Sequence, residues 1–200
     1  MPNPTAKKNL DAARASIQQT ITFEEFLAKL SPKDRANAEK RVAVLEAEPD
    51  PRRAPLWQRL VCTLMTLAPT AKFVGKQTVQ FFIPDGKYRM QVFAMEDLQD
   101  GLFTLYTPNV LEEALLGGVV TPGQGEPNMF MIPLAREPLR IEPLDKSTQN
   151  PGAHYKDMLG WNRKALRITL PPTPSDAQVQ TAQLLCALAA THFVKTEPPQ

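Results

Sequence analysis

The chain has 200 residues, 42% of them hydrophobic and 22% charged, an ordinary composition for a folded protein able to bury a sizeable core. Its net charge is only +2, and its basic residues are scattered as Lys7-Lys8, Arg52-Arg53, Lys87/Arg89 and Arg163-Lys164/Arg167. Nucleic-acid binders gather such charges on one face, so no nucleic-acid partner is expected. No apolar run approaches the roughly 18 residues of a membrane-crossing helix, the first residues lack the apolar stretch of a secretory leader, and the cytoplasm is the expected compartment.

Residues 1–20 read as a flexible or frayed tail, followed by an N-terminal helical segment over 21–52. In TFEEFLAKL, Phe23, Phe26, Leu27 and Leu30 recur at i, i+3, i+4 and i+7, which predicts a helix with a buried stripe. The next helix, 32–48, is heavily charged and offers only Ala38, Val42 and Leu45, so weak docking at the surface is expected. Pro49-Asp50-Pro51 marks a linker, after which 53–195 reads as the core domain. LWQRLVCTLMTLA (56–68) is apolar nearly all round, as suits a helix on a sheet with another layer beyond it.

Helix starts are signalled by Thr22…Glu25, Ser31…Asp34, Asn109…Glu112 and Thr173…Asp176, each pairing a short polar residue with an acid three positions on. Pro32 and Pro174 suit the first helical position, where a missing N–H is harmless.

Residues 77–108 predict a three-stranded antiparallel meander, QTVQFFI, YRMQVFAM and LFTLY. Pro84-Asp85-Gly86 reads as a three-residue hairpin turn, and Asp100-Gly101 as a second turn suited to positive φ. Strict alternation puts Val79, Phe81 and Ile83 on one face with Phe82 on the other. In the second strand it sets Tyr88, Met90 and Val92 against Phe93 and Met95. Both faces thus carry large apolar groups, and Phe82, Phe93 and Met95 become candidate binding residues on an amphipathic second face.

A short helix over 109–116 stops at Gly117-Gly118. Beyond it, Pro133-Leu134, Pro138-Leu139 and Pro143-Leu144 recur every five residues, and proline argues against an interior strand there. A guarded edge strand or a docking strip for a partner is expected instead. A loop over 145–163, a strand over 164–170 and a helix over 174–193 complete the chain.

Consecutive strands flanked by helices predict an α+β fold: a largely antiparallel sheet, with strands near 129–143 and 164–170 beside the meander, packed by helices 56–68 and 174–193. The order helix, three strands, helix, two strands, helix resembles that of the small dimeric chaperones of bacterial type III secretion. The likeness rests on element order alone.

The chemistry-bearing residues are sparse. Gly75-Lys76 lacks the glycine and the hydroxyl residue of a phosphate loop, since Thr70 and Gln77 stand there. The glycines at 117, 118, 123 and 125 follow a helix where a phosphate site would lead into one. Cys62, Cys186, His154 and His192 show no metal-ligand spacing, so neither metal nor cofactor is expected. The 145–163 loop gathers His154, Asp157 and Trp161, where an acid–base pair beside an aromatic wall is one reading and a docked helical turn the other.

The leading expectation is a non-enzymatic interaction module, self-associating or bound to a protein partner, that uses the second sheet face or the proline strip. The alternatives are a small enzyme or ligand-binding protein centred on His154 and Asp157, with Trp161 as a binding residue, and a structural subunit of a larger complex.

Overall fold

A computed structural model describes residues 4–85, 88–97, 101–144 and 164–194. Four helices come first: α1 (Pro4–Gln18), α2 (Phe23–Lys29), α3 (Pro32–Glu46) and α4 (Arg53–Leu67). Then follow β1 (Thr70–Val74), β2 (Thr78–Asp85), β3 (Tyr88–Asp97), β4 (Phe103–Pro108) and α5 (Leu111–Leu116). The chain continues through β5 (Thr121–Pro122), β6 (Met129–Ile132), β7 (Glu137–Leu144), β8 (Ala165–Thr169) and α6 (Asp176–Val194). The fold is α+β, as expected: one eight-stranded sheet in the order β1-β2-β3-β4-β8-β7-β6-β5, antiparallel throughout. It consists of two consecutive meanders, β1–β4 and β5–β8, joined along a seam between β4 and β8.

An apolar row crosses five of these strands. Val79, Met95, Leu105, Ile168 and Ile141 stand opposite one another in register, and all are buried. α4 and α6 lie over this face, and α4 is contacted in turn by α1, α2, α3 and α6. That enclosure explains why α4 is apolar all round. Its Trp57 is wrapped by Phe23 and Phe26 of α2 and Phe73 of β1, with ring centroids 6.2, 6.3 and 6.3 Å away. Aromatic contacts of this kind couple the N-terminal helices directly to the sheet.

Within the segment 1–20, expected as a flexible or frayed tail, Pro4–Gln18 is helical, and Ala6, Leu10 and Ala13 are buried, chiefly against α6. Two alanines and one leucine make a faint periodic signal, but small side chains allow close helix approach. α3 also docks firmly, with Ala38 and Leu45 fully buried.

Two of the four caps form as expected. Thr22 Oγ1 accepts from Glu25 N at 3.2 Å while Glu25 Oε2 accepts from Thr22 N at 2.8 Å, and Ser31 Oγ accepts from Asp34 N at 3.2 Å. Asn109 accepts from Leu111 N instead of Glu112 N, at 3.0 Å. α6 begins later than Thr173 would set it. Ser175 Oγ accepts from Gln178 N at 3.2 Å and Gln178 Oε1 accepts from Ser175 N at 2.9 Å, so Pro174 precedes the cap.

The meander departs from strict alternation. Pairing continues through Pro84↔Arg89 and Asp85↔Tyr88, past the point where a three-residue turn would end it. Register then shifts between Phe81↔Phe93 and Phe82↔Gln91, which leaves Val92 as the extra residue of a bulge. Gly101, in the second turn, does take a positive φ of 81°.

The proline-rich strand β7 is interior, between β6 and β8, contrary to the edge expected for it. The stagger of its neighbours explains the tolerance. β6 pairs with Glu137–Arg140 only, and β8 with Arg140–Leu144 only. Pro138 and Pro143 each therefore sit on a stretch paired on one side, where a missing N–H breaks no ladder. The Pro138 carbonyl turns to α6 and accepts from Gln178 Nε2 at 2.7 Å. The true edges are β1 and the two-residue β5. β1 is blunted by α3, since Phe73 N donates to Asp34 Oδ1 at 3.1 Å.

A buried ionic cluster locks helices to sheet. Asp97, at the end of β3, is 1% exposed. It accepts from Arg53 Nη2 at 2.9 Å and pairs with Arg41 of α3 through its other oxygen. Arg53 also pairs with Glu48, donates to the Gly101 carbonyl and lies 4.5 Å over the Phe103 ring. Burial lowers the Arg41 pKa from its ordinary value, Glu48 opposes that shift and Arg53 adds to it.

Removing one member of such a cluster strands charges in the interior. Asp97→Ala is expected to lower unfolding free energy by about 3–5 kcal/mol in urea titrations. Arg35→Ala, which breaks the exposed 3.0 Å pair with Glu39, is expected to change it by less than about 0.5 kcal/mol. Equal small effects for both substitutions would contradict the structural weight given to Asp97.

Candidate functional site: an apolar groove between α1 and α6

The bulge decides where the candidate sheet residues go. Phe93 stands opposite Phe81 and Met95 opposite Val79, so both join the helix-covered core, at 0% and 1% exposure. They do not share a face with Phe82, which is half-buried opposite Gln91. The opposite face of the sheet mixes polar groups with a small buried apolar cluster of Ala94, Tyr106, Leu144 and Ala165. Its central row runs Gln80, Ala94, Tyr106, Arg167 and Glu142, with Tyr106 Oη donating to Glu96 at 2.7 Å and Arg167 Nε donating to Glu142 at 2.8 Å. The amphipathic interface read from strict alternation thus loses two of its three apolar residues to the core. His154, Asp157 and Trp161 lie outside the described residues.

The described thiols offer no nucleophile. Cys62 and Cys186 are buried on α4 and α6, and burial pushes each pKa up to about 12. Coulombic repulsion from Glu25 adds to the rise at Cys62, while a hydrogen bond with Thr107 opposes it at Cys186. Among the described residues, no group of three His, Cys, Asp or Glu side chains is placed to hold a metal ion.

Two concave sites among the described residues bear on function. A cleft of about 320 Å³ lies by the N-terminal ends of α4 and α6 and gathers Arg52, Arg53 and Arg59. Every guanidinium there already has a carboxylate. Arg52 forks onto Asp50 at 2.8 and 2.9 Å, Arg53 pairs with Asp97, and Arg59 donates to Asp176 at 2.9 Å. The fork also holds the Asp50 carboxyl below its ordinary pKa. With Arg52 forked onto Asp50 and Arg53 held in the buried cluster, the cleft gives an anion little to bind.

The second site is a groove of about 500 Å³ between α1 and α6. Leu10, Arg14, Ile17 and Gln18 face it from α1, and Ala177, Gln180, Thr181 and Leu184 from α6. These positions repeat at i, i+3 or i+4, and i+7, so the groove follows both helix axes for about two turns. Val119 and the turn between β6 and β7 close one side. That turn is fixed by Arg136, whose φ is 55° and whose N donates to the Ile132 carbonyl at 2.8 Å. It thrusts Pro133-Leu134 outward, leaving Leu134 100% exposed.

The neighbouring rim is apolar as well. α5 stops where Gly118 takes a φ of 67° and Val119 N donates to the Ala114 carbonyl at 2.9 Å, just after the exposed Leu115 and Leu116. Among the described residues, three of the four exposed large hydrophobic side chains therefore sit on the groove or within three residues of its Gly118. Scattered exposed leucines are unremarkable, but Leu134 lines the concavity itself, which points to an interaction surface.

Comparison with protein-family models, curated proteins and solved structures gives no match. The likeness in element order to the type III secretion chaperones finds no counterpart there, and the observed order also contains β1 and β5. Sequence reasoning did pick out Pro133-Leu134, through the Pro-Leu repeat. It missed Leu10, Arg14 and Ile17 because they fall in a segment with no strong periodic signal.

Folding raises both thiol pKa values, so the fold favours the neutral thiols. That contribution is complete below the unfolded value of roughly 8.5 and declines as pH climbs from there towards 12. At pH 8 an aromatic disulfide reagent is expected to leave both cysteines of the native protein untouched while titrating both in denaturant. Fast native labelling of either thiol would contradict this placement.

Proposed function

We propose that this protein is a non-enzymatic interaction module that engages a protein partner through the groove between α1 and α6. The observation that carries the reading is Leu134, fully exposed on a turn held by backbone geometry at the rim of an apolar concavity. Exposing a large apolar side chain on an ordered turn gains nothing for folding, so a bound partner is the natural beneficiary. The Pro-Leu strip contributes through this turn, since Pro138 and Pro143 are built into the sheet.

Self-association through the sheet is disfavoured by the same geometry. Phe93 and Met95 are committed to the core, and Asp34 occupies an outward N–H of the β1 edge. A different protein is therefore the preferred partner, and the cytoplasm the proposed location. The enzyme reading rests on His154 and Asp157 alone, and the two described thiols give it no support.

The test is affinity capture from the native host with wild type and Leu134→Glu side by side. A change at a fully exposed position is expected to leave the melting temperature within about 2 °C. Proteins retained by wild type and lost with Leu134→Glu support the module. Identical capture by both, at equal stability, would rule out the groove as the binding surface.

A further inference from the structure

The groove also carries information about the chemistry of its occupant. Among the described residues its charged lining is Arg14 and Arg59, with no carboxylate. The partners of these arginines lie outside: Asp11 at 3.7 Å and Asp176 at 2.9 Å, with side chains 59% and 85% exposed. Exposed pairs of this kind hold weakly and exchange readily. The helix α1 as a whole is basic, with Lys7, Lys8 and Arg14 set against Asp11 alone. Arg136 stands exposed beside the rim residue Ala135.

Shape narrows the class further. Two helices flank the floor for about two turns each, which suits a third helix laid along them with its apolar residues on Ile17, Val119, Leu134 and Leu184. From this convergence of apolar floor, helical walls and arginines held only by exposed carboxylates, we infer that the occupant is an acidic amphipathic helix of another protein. Its Asp or Glu side chains flank the apolar stripe and pair with Arg14 and Arg59. The inference rests on the groove being the binding site and adds the chemistry of the partner.

Two synthetic peptides of about 18 residues test it, long enough to form a helix on binding. Both carry leucine at i, i+3, i+4 and i+7, one flanked by glutamate and the other by lysine, and each is titrated with the full chain by fluorescence anisotropy. The glutamate peptide is expected to bind roughly tenfold more tightly, because two charge pairs turn from attraction to repulsion in the lysine peptide. Arg14→Glu is expected to remove most of that preference, and Arg14→Glu with Arg59→Glu to invert it. If the double variant fails to fold, Arg14→Glu decides alone, since that residue is exposed on its helix.

Equal binding of both peptides, lost with Leu134→Glu but indifferent to Arg14→Glu, would keep the groove and overturn the acidic occupant. Binding of neither peptide at millimolar concentration would overturn the inference. Sedimentation with phosphatidylserine vesicles that Leu134→Glu abolishes, without peptide binding, would also overturn it and assign the surface to a lipid.

Discussion

The burial of Asp97 between two arginines is the contact on which the arrangement of helices and sheet depends. Its carboxylate ends β3, yet its partners come from α3 and from the first turn of α4. A buried carboxylate is tolerable only when its charge is met and its oxygens are bonded. Arg41 and Arg53 must therefore stay where they are, and α3 and α4 with them. Arg53 extends the constraint through the Gly101 carbonyl and the Phe103 ring, so the start of β4 is tied to the same group. The segment that Pro49-Asp50-Pro51 would mark off as separate is thus bound into a single core, which runs from Leu10 and Phe26 to Leu188.

With α3 and α4 fixed over one sheet face, the rest of the helical layer follows. α6 covers β4, β6 and β7, and α1 packs along α6. The groove lies between these last two helices, where the β6–β7 turn rises beside them. Its position thus follows from the fold, and its character follows from a few side chains. Leucines stand where polar residues would cost nothing, and arginines stand with their carboxylates turned outside. The proposed function rests on a surface, and the described interior holds buried thiols and a structural ion cluster.

Much of this was legible in the sequence, and the misses have physical causes. The caps at Thr22 and Ser31, the stripe of α2 and the strands of the meander are encoded within a few residues, so local pattern finds them. The Val92 bulge is different. One inserted residue reverses the parity of everything after it, which is how Phe93 and Met95 moved from a supposed interface to the core. Likewise β7 defeats the proline rule only because its two neighbours end at different points, a fact of pairing and not of composition. Arg53 and Asp97 are 44 residues apart, and nothing near either one announces the other. The groove combines residues from Leu10 to Leu184, and only its Pro133-Leu134 rim left a local mark.

The central claim is that α1 belongs to the folded body, so that the groove exists before any partner arrives. Hydrogen exchange of the free full-length chain, followed by mass spectrometry, tests it most directly. Amides of α1 from Leu10 to Gln18 are expected to exchange with protection comparable to that of α6, because the two helices bury a common face. Exchange of α1 at the rate of an unstructured peptide, while α6 remains protected, would contradict it.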